Sequence, residues 1–175
     1  MHVTKTITIN RPVSEVYAFW RDFENLPRFM YHLEMVEDLG SQRSHWVARA
    51  PAGKTVEWDA EVTEDRPNEL IGWRSIGNDD DVGNSGTVRF REAPGDRGTE
   101  VIVDLVYDVP GGKIASLVAK LFGEEPAIQV NDDLRRLKQV LETGEVVRSH
   151  GSPEGIGRGI GRQHPSQPRE QEARP

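Results

Sequence analysis

The sequence predicts an α+β domain in which a seven-stranded antiparallel sheet wraps around a long C-terminal helix, with two short helices after the first strand. Three observations carry that expectation. Apolar and polar residues alternate with period two in seven segments separated by turn sequences. Helical spacing replaces the alternation twice, just after the first segment and near the end of the chain. Beyond residue 145 the composition changes to Gly, Pro, Arg and Gln, which sets a domain of residues 1–145 apart from a tail of 146–175.

Val3 to Ile9 alternates as a strand and ends at Asn10. Pro12 suits a first helical turn, and Val13, Val16, Tyr17 and Trp20 follow at helical spacing. In "DFENLPRFM", Asp22 is placed to cap a second helix, and Pro27 near its middle limits it to one or two turns. Six strand-like runs come next: "HLEMVEDL", "HWVARA", "TVEWDAEVTED", "ELIGWRSI", "GTVRFRE" and "TEVIVDLVYDV". Gly40, Pro51–Gly53, "DRPN" and "APGDRG" punctuate them, and such short links make an antiparallel meander. After Pro110, Ile114, Leu117, Val118 and Leu121 mark one helical face, and Leu134, Leu137, Val140 and Leu141 mark another, with Lys138 on its opposite, wet side. Gly123 and Pro126 predict a break between them, and Glu142–Gly144 a stop. Only this terminal helix is long enough to cover one face of seven strands.

Composition narrows the function classes. The formal net charge of −7 provides no global basic field for nucleic acid or anionic lipid. With no cysteine, disulfides, thiolate nucleophiles and thiolate metal sites are excluded. No apolar run approaches the roughly 18 residues that span a bilayer, and "MHVTKTITIN" lacks an apolar signal core, so the expected address is the cytoplasm without stable membrane insertion. The tail holds only Ile156 and Ile160 as large aliphatic residues, too few to offset ordering, and reads as disordered. Its "GIGRGIGRQ" has dinucleotide-loop spacing, but no strand precedes it and no amphipathic helix follows.

The segments "ITINRPVSEVYAFWRDFENLPRFM", "ELIGWRS", "GTVRF" and "DLRRLKQVLETGE", in this order, resemble the helix-grip fold of the START-like (SRPBCC) superfamily, in particular its polyketide cyclase/dehydrase and coenzyme Q-binding branch. The similarity runs from about Val3 to Glu145. It implies a cavity between sheet and terminal helix, with the short second helix over one mouth. It implies a small hydrophobic or amphipathic ligand (a lipid, an isoprenoid quinone or a polyketide-like molecule). The same superfamily includes aromatase/cyclases, so an aromatase/cyclase or dehydratase is the alternative. An interaction module without a physiological ligand is a third. Under the first reading, Phe29 and Met30 form a lid held by fewer contacts than core residues.

Strand parity names the wall of such a cavity. Val56, Trp58, Ala60 and Val62 face inward because Glu57, Asp59 and Glu61 alternate with them. The same logic gives Trp46, Ala48 and Ala50, then Val88 and Phe90, then Val101, Val103, Leu105 and Tyr107. On the fifth strand the Trp73 face is taken as inward, since Arg74 would be costly to bury. The candidate ligand-binding residues are therefore Trp20, Phe29, Met30, Trp46, Trp58, Trp73, Phe90, Tyr107, Leu117 and Leu121. The small side chains at 48, 50 and 60 are expected to leave room beside the indoles.

No catalytic residue, metal site or cofactor is assigned. The carboxylates Glu57, Asp59, Glu61 and Asp104 all fall on the outward face, where pairing of the acidic row with Arg89 and Arg91 is expected. Arg74 and Tyr107 are the polar groups an enzyme would use, but the preferred readings are a sheet-surface cation for Arg74 and a core residue with a satisfied hydroxyl for Tyr107. The five histidines are scattered without metal-ligand spacing, and "GNDDDVGN" lacks the ligand alternation of a calcium loop. Neither the ligand's identity nor the oligomeric state is legible here.

Overall fold

The computed structural model describes residues 1–77, 83–107 and 126–145. Strand β1 (His2–Ile9) is followed by helix α1 (Val13–Arg21) and a 3-10 helix (Phe23–Arg28). Six strands then run in sequence: β2 (Leu33–Gly40), β3 (Arg43–Ala50), β4 (Lys54–Arg66), β5 (Leu70–Ile76), β6 (Asn84–Glu92) and β7 (Thr99–Tyr107). Helix α2 (Pro126–Thr143) closes the described chain. The expected helical face Ile114–Leu121, residues 78–82 and the expected tail of 146–175 lie outside the described residues.

All seven strands form one antiparallel sheet in the order β1-β7-β6-β5-β4-β3-β2. Short turns make β2 to β7 a meander, and β1 returns beside β7, with Thr6 opposite Ile102. Parity holds as the sequence predicts: Val88 and Phe90 are buried while Arg89 and Arg91 are exposed, and Trp58, Ala60 and Val62 are buried. The apolar stripe of α2, formed by Val130, Leu134 and Leu137, joins these strands in one core with Val16 and Trp20 of α1. Gly144, at φ +77°, ends α2, its N–H donating to the Val140 carbonyl at 2.9 Å.

Three local expectations are corrected. Asp22 occupies the N-cap of the 3-10 helix without a capping side-chain bond; its carbonyl instead accepts the Asn25 N–H at 2.9 Å. The acidic row of β4 does not meet Arg89 and Arg91, because β5 separates β4 from β6. Glu61 pairs with Arg74 and Asp59 with His45 and Arg43, while Arg89 reaches Asp104 and Arg91 reaches Glu100. Lys138 keeps a side chain 40% exposed but does more than face solvent: its Nζ donates to the Thr8 carbonyl and to Glu142, each at 2.7 Å, tying α2 to β1.

Candidate functional site

Between the sheet and the helices lies an apolar cavity. The space open to the centre of a water-sized molecule is about 70 Å³. One water needs roughly 10–15 Å³ on that scale, so the space is several waters in size. Trp46 of β3 and Trp58 of β4 are directly opposed in register and stack with centroids 5.8 Å apart. They form the cavity's far wall, and Trp73 of β5 continues it. Trp20, Phe23, Leu26, Phe29 and Met30 line the side made by α1 and the 3-10 helix. Val130 and Leu134 contribute from α2, and Leu105 and Tyr107 from β7.

Seven of the expected site residues thus surround one space: Trp20, Phe29, Met30, Trp46, Trp58, Trp73 and Tyr107. Phe90 is not among the lining residues. It is buried behind the wall, with its ring edge-on to Tyr17 at 5.7 Å and Trp20 at 6.3 Å. Leu117 and Leu121 lie outside the described residues. Ala48 and Ala60 are buried without lining the cavity, so their small size serves the neighbouring packing instead. Phe29 is 0% exposed and packs on Trp20 at 5.4 Å and Phe19 at 6.2 Å. That makes it a core ring which also borders the cavity, contrary to the loosely held lid expected of it.

The sequence reading missed the polar part of the lining, which is made by His32, Asn84 and Asp133. Asp133 is 4% exposed on the inner face of α2. Gln129 Nε2 donates to its Oδ1 at 2.9 Å and Arg136 Nη1 at 2.8 Å, and the Tyr31 backbone N–H adds a third bond. Burial nevertheless pushes this carboxyl up to about 7, against the opposing pull of Arg136 and the hydrogen bonds. His32 Nδ1 stands 3.6 Å from Asp133 Oδ2. Burial, helped by the positive charge of Arg136, lowers this imidazole to about 4, so it is neutral at physiological pH. The Tyr107 hydroxyl is held above its ordinary range by burial and by the nearby Asp133 charge. Arg136 itself lies 3.7 Å over the Tyr31 ring.

Asp133 could have been found from helical phase alone. It falls three residues after Val130 and four before Leu137, on the stripe that the sequence already assigns to the core. His32 carries no such signal, because its direction depends on the turn that leads from the 3-10 helix into β2.

A seven-stranded antiparallel sheet closed by one long helix over an apolar cavity defines a helix-grip protein. A family model described as polyketide cyclase / dehydrase and lipid transport matches residues 9–135. The chain belongs to that family. It is 30% identical over 140 residues to an uncharacterized 17.2 kDa protein of Streptomyces lincolnensis, covering 80% of this chain and 89% of the other. It is similar to the crystal structure of DR_A0006 from Deinococcus radiodurans at 43% identity and TM-score 0.66, covering 83% of this chain and 100% of that one. TTHA0849 from Thermus thermophilus is similar at 28% identity and TM-score 0.62, with 79% and 95% covered.

Proposed function

We propose that the protein binds a small amphipathic molecule in the cavity between the sheet and α2. The observation that carries this reading is a space walled by four indoles and phenyl rings into which one buried carboxyl, Asp133, is placed. Apolar walls with a few positioned polar groups are the usual build of small-molecule sites. Membership of a family that includes lipid transport supports the same reading. A domain acting only through its surface gains nothing from such a space, since filling it would add stability.

A second reading is favoured by one specific observation. Asp133 titrates near neutrality inside the cavity, the property a general acid–base group needs. A cyclase or dehydratase acting on a polyketide-like chain would use that carboxyl to move a proton, with neutral His32 beside it.

Titration with naphthalene, followed through the fluorescence of the lining tryptophans, tests the binding reading. Saturable quenching is expected, and Leu105→Phe, which fills the cavity from β7, should abolish it while leaving the far-ultraviolet circular dichroism unchanged. Quenching that persists in Leu105→Phe would place the probe elsewhere and remove the basis for the proposal.

A further inference from the structure

The apolar wall of the cavity is interrupted by two polar groups of opposite kind, each with hydrogen-bonding capacity left over. Trp58 is 8% exposed, and its Nε1–H has no hydrogen-bond partner among the described residues. Its stacked neighbour Trp46 differs, donating to Ser44 Oγ at 2.8 Å. Buried indole N–H groups are ordinarily satisfied, so an orphan on a cavity wall marks a place for an acceptor. Asp133 offers the reverse. A carboxylate has about four acceptor sites, and three donors (Gln129, Arg136 and the Tyr31 backbone) approach this one.

Charge then decides what kind of molecule fits. Among the described residues no lysine or arginine lines the cavity. Arg136, the cation beside Asp133, is already bonded to it and stacked on Tyr31. His32 lines the space as a neutral ring. A ligand carboxylate would therefore enter an apolar space facing Asp133 with no countercharge among the described residues, which is unfavourable. A hydroxyl faces no such penalty.

Resting on the binding reading above, we infer that the cavity selects a neutral, flat, oxygenated molecule of the phenol or enol class over a carboxylate such as a fatty acid. The ligand's hydroxyl donates to Asp133, and a ligand oxygen accepts the Trp58 Nε1–H. Trp46, Trp58 and Trp73 supply the flat apolar surface.

Four probes of one ring system separate the terms: naphthalene, 2-methoxynaphthalene, 2-naphthol and 2-naphthoate, titrated against the full chain at mildly alkaline pH. The expected order of affinity is 2-naphthol, 2-methoxynaphthalene, naphthalene, then 2-naphthoate. The first should exceed naphthalene by about tenfold or more, the scale of one hydrogen bond to a charged acceptor. Asp133→Asn should narrow the gap between 2-naphthol and 2-naphthoate by weakening the first and admitting the second. Trp58→Phe, which removes the N–H and keeps an aromatic wall, should bring 2-methoxynaphthalene down to naphthalene. This second variant keeps the test decisive if Asp133→Asn does not fold. Naphthalene binding as tightly as 2-naphthol, or 2-naphthoate binding tightest, overturns the selectivity while leaving the cavity reading in place. Failure of all four probes to bind the folded protein overturns both.

Discussion

Trp73 stands opposite Gly86 across the β5–β6 pair, and a Cβ at position 86 would lie 2.4 Å from the indole ring. The indole therefore lies over the glycine, occupying the space any other residue's side chain would need. This close approach is what sets the Trp73 ring against the cavity. Gly86→Ala should displace the ring or the strand and cost about 1–3 kcal/mol, the usual scale of overpacking. Trp73→Leu in the same chain should recover part of that loss. Urea unfolding of the single and double variants checks both statements. Simple additivity would mean that the ring and the glycine are independent.

The second prediction concerns Phe29, which is entirely buried between α1 and the cavity. Phe29→Ala should cost about 3–5 kcal/mol, the full range for a packed phenylalanine. Met30 borders the same cavity but is only partly buried. Met30→Ala should cost clearly less and should speed the release of a bound naphthalene probe. Stopped-flow release beside equilibrium unfolding separates the two roles. A weakly destabilising Phe29→Ala would restore the view of that ring as a movable cover.

Most of the architecture was legible because burial imposes period two on strands and period 3.6 on helices, and both signals are strong here. Parity puts Trp46 and Trp58 on one face, the cost of burying Arg74 decides the same for Trp73, and Arg74 is exposed beside Glu61. The meander already sets β5 between β4 and β6, so Arg89 and Arg91 find their acidic partners on the adjacent β7, Asp104 and Glu100. Period also says which residues face inward without saying how far each ring reaches. Phe90 and Phe29 share the core, yet only Phe29 borders the cavity. The polar lining escaped for another reason. Charged residues were sought in the alternation of the strands, whereas Asp133 sits on the apolar stripe of a helix, where a carboxylate breaks the pattern that defines the stripe.

Helix α2 offers a test of orientation within one turn. Leu137 is 0% exposed in the core, so Leu137→Ala should cost about 2–5 kcal/mol. Its neighbour Lys138 bonds the Thr8 carbonyl and Glu142, so Lys138→Ala should cost about 0.5–1.5 kcal/mol. Lys138→Met retains the apolar stem and should be no better, because the carbonyl of β1 loses its donor either way. Chemical denaturation of the three variants suffices. A silent Lys138→Ala would show that the tie between α2 and β1 contributes nothing in solution.

The last prediction follows from the opposed titrations of His32 and Asp133. His32 falls from its ordinary 6.5 to about 4 on folding, so between those values the unfolded chain binds the extra proton. Its contribution to stability is complete above pH 6.5 and is lost as pH falls toward 4. Asp133 rises from 3.8 to about 7, so in its window the folded chain binds the extra proton. Its contribution is complete below pH 3.8 and is lost as pH rises through 7. The two windows overlap, and the slopes have opposite sign, so in the native chain they largely cancel. Removing one group leaves its own contribution as the difference from wild type. Asp133→Asn removes the contribution that falls with pH, so its stability relative to wild type should climb between 3.8 and 7. His32→Gln removes the contribution that rises with pH, so its stability relative to wild type should decline between 4 and 6.5. Each slope approaches about 1.4 kcal/mol per pH unit at most, a total of a few kcal/mol across the window. Taking differences from wild type removes the shared contribution of Asp65 and Glu142. Burial raises both of those carboxyls, but hydrogen bonds outweigh it, from Tyr17 and Arg21 to Asp65 and from Lys138 to Glu142, and hold them below their ordinary range. Urea midpoints collected at closely spaced pH values give the curves directly. Two difference curves of the same sign would mean that His32 and Asp133 do not titrate as this cavity requires, and the assignment of Asp133 as its polar group would fall with them.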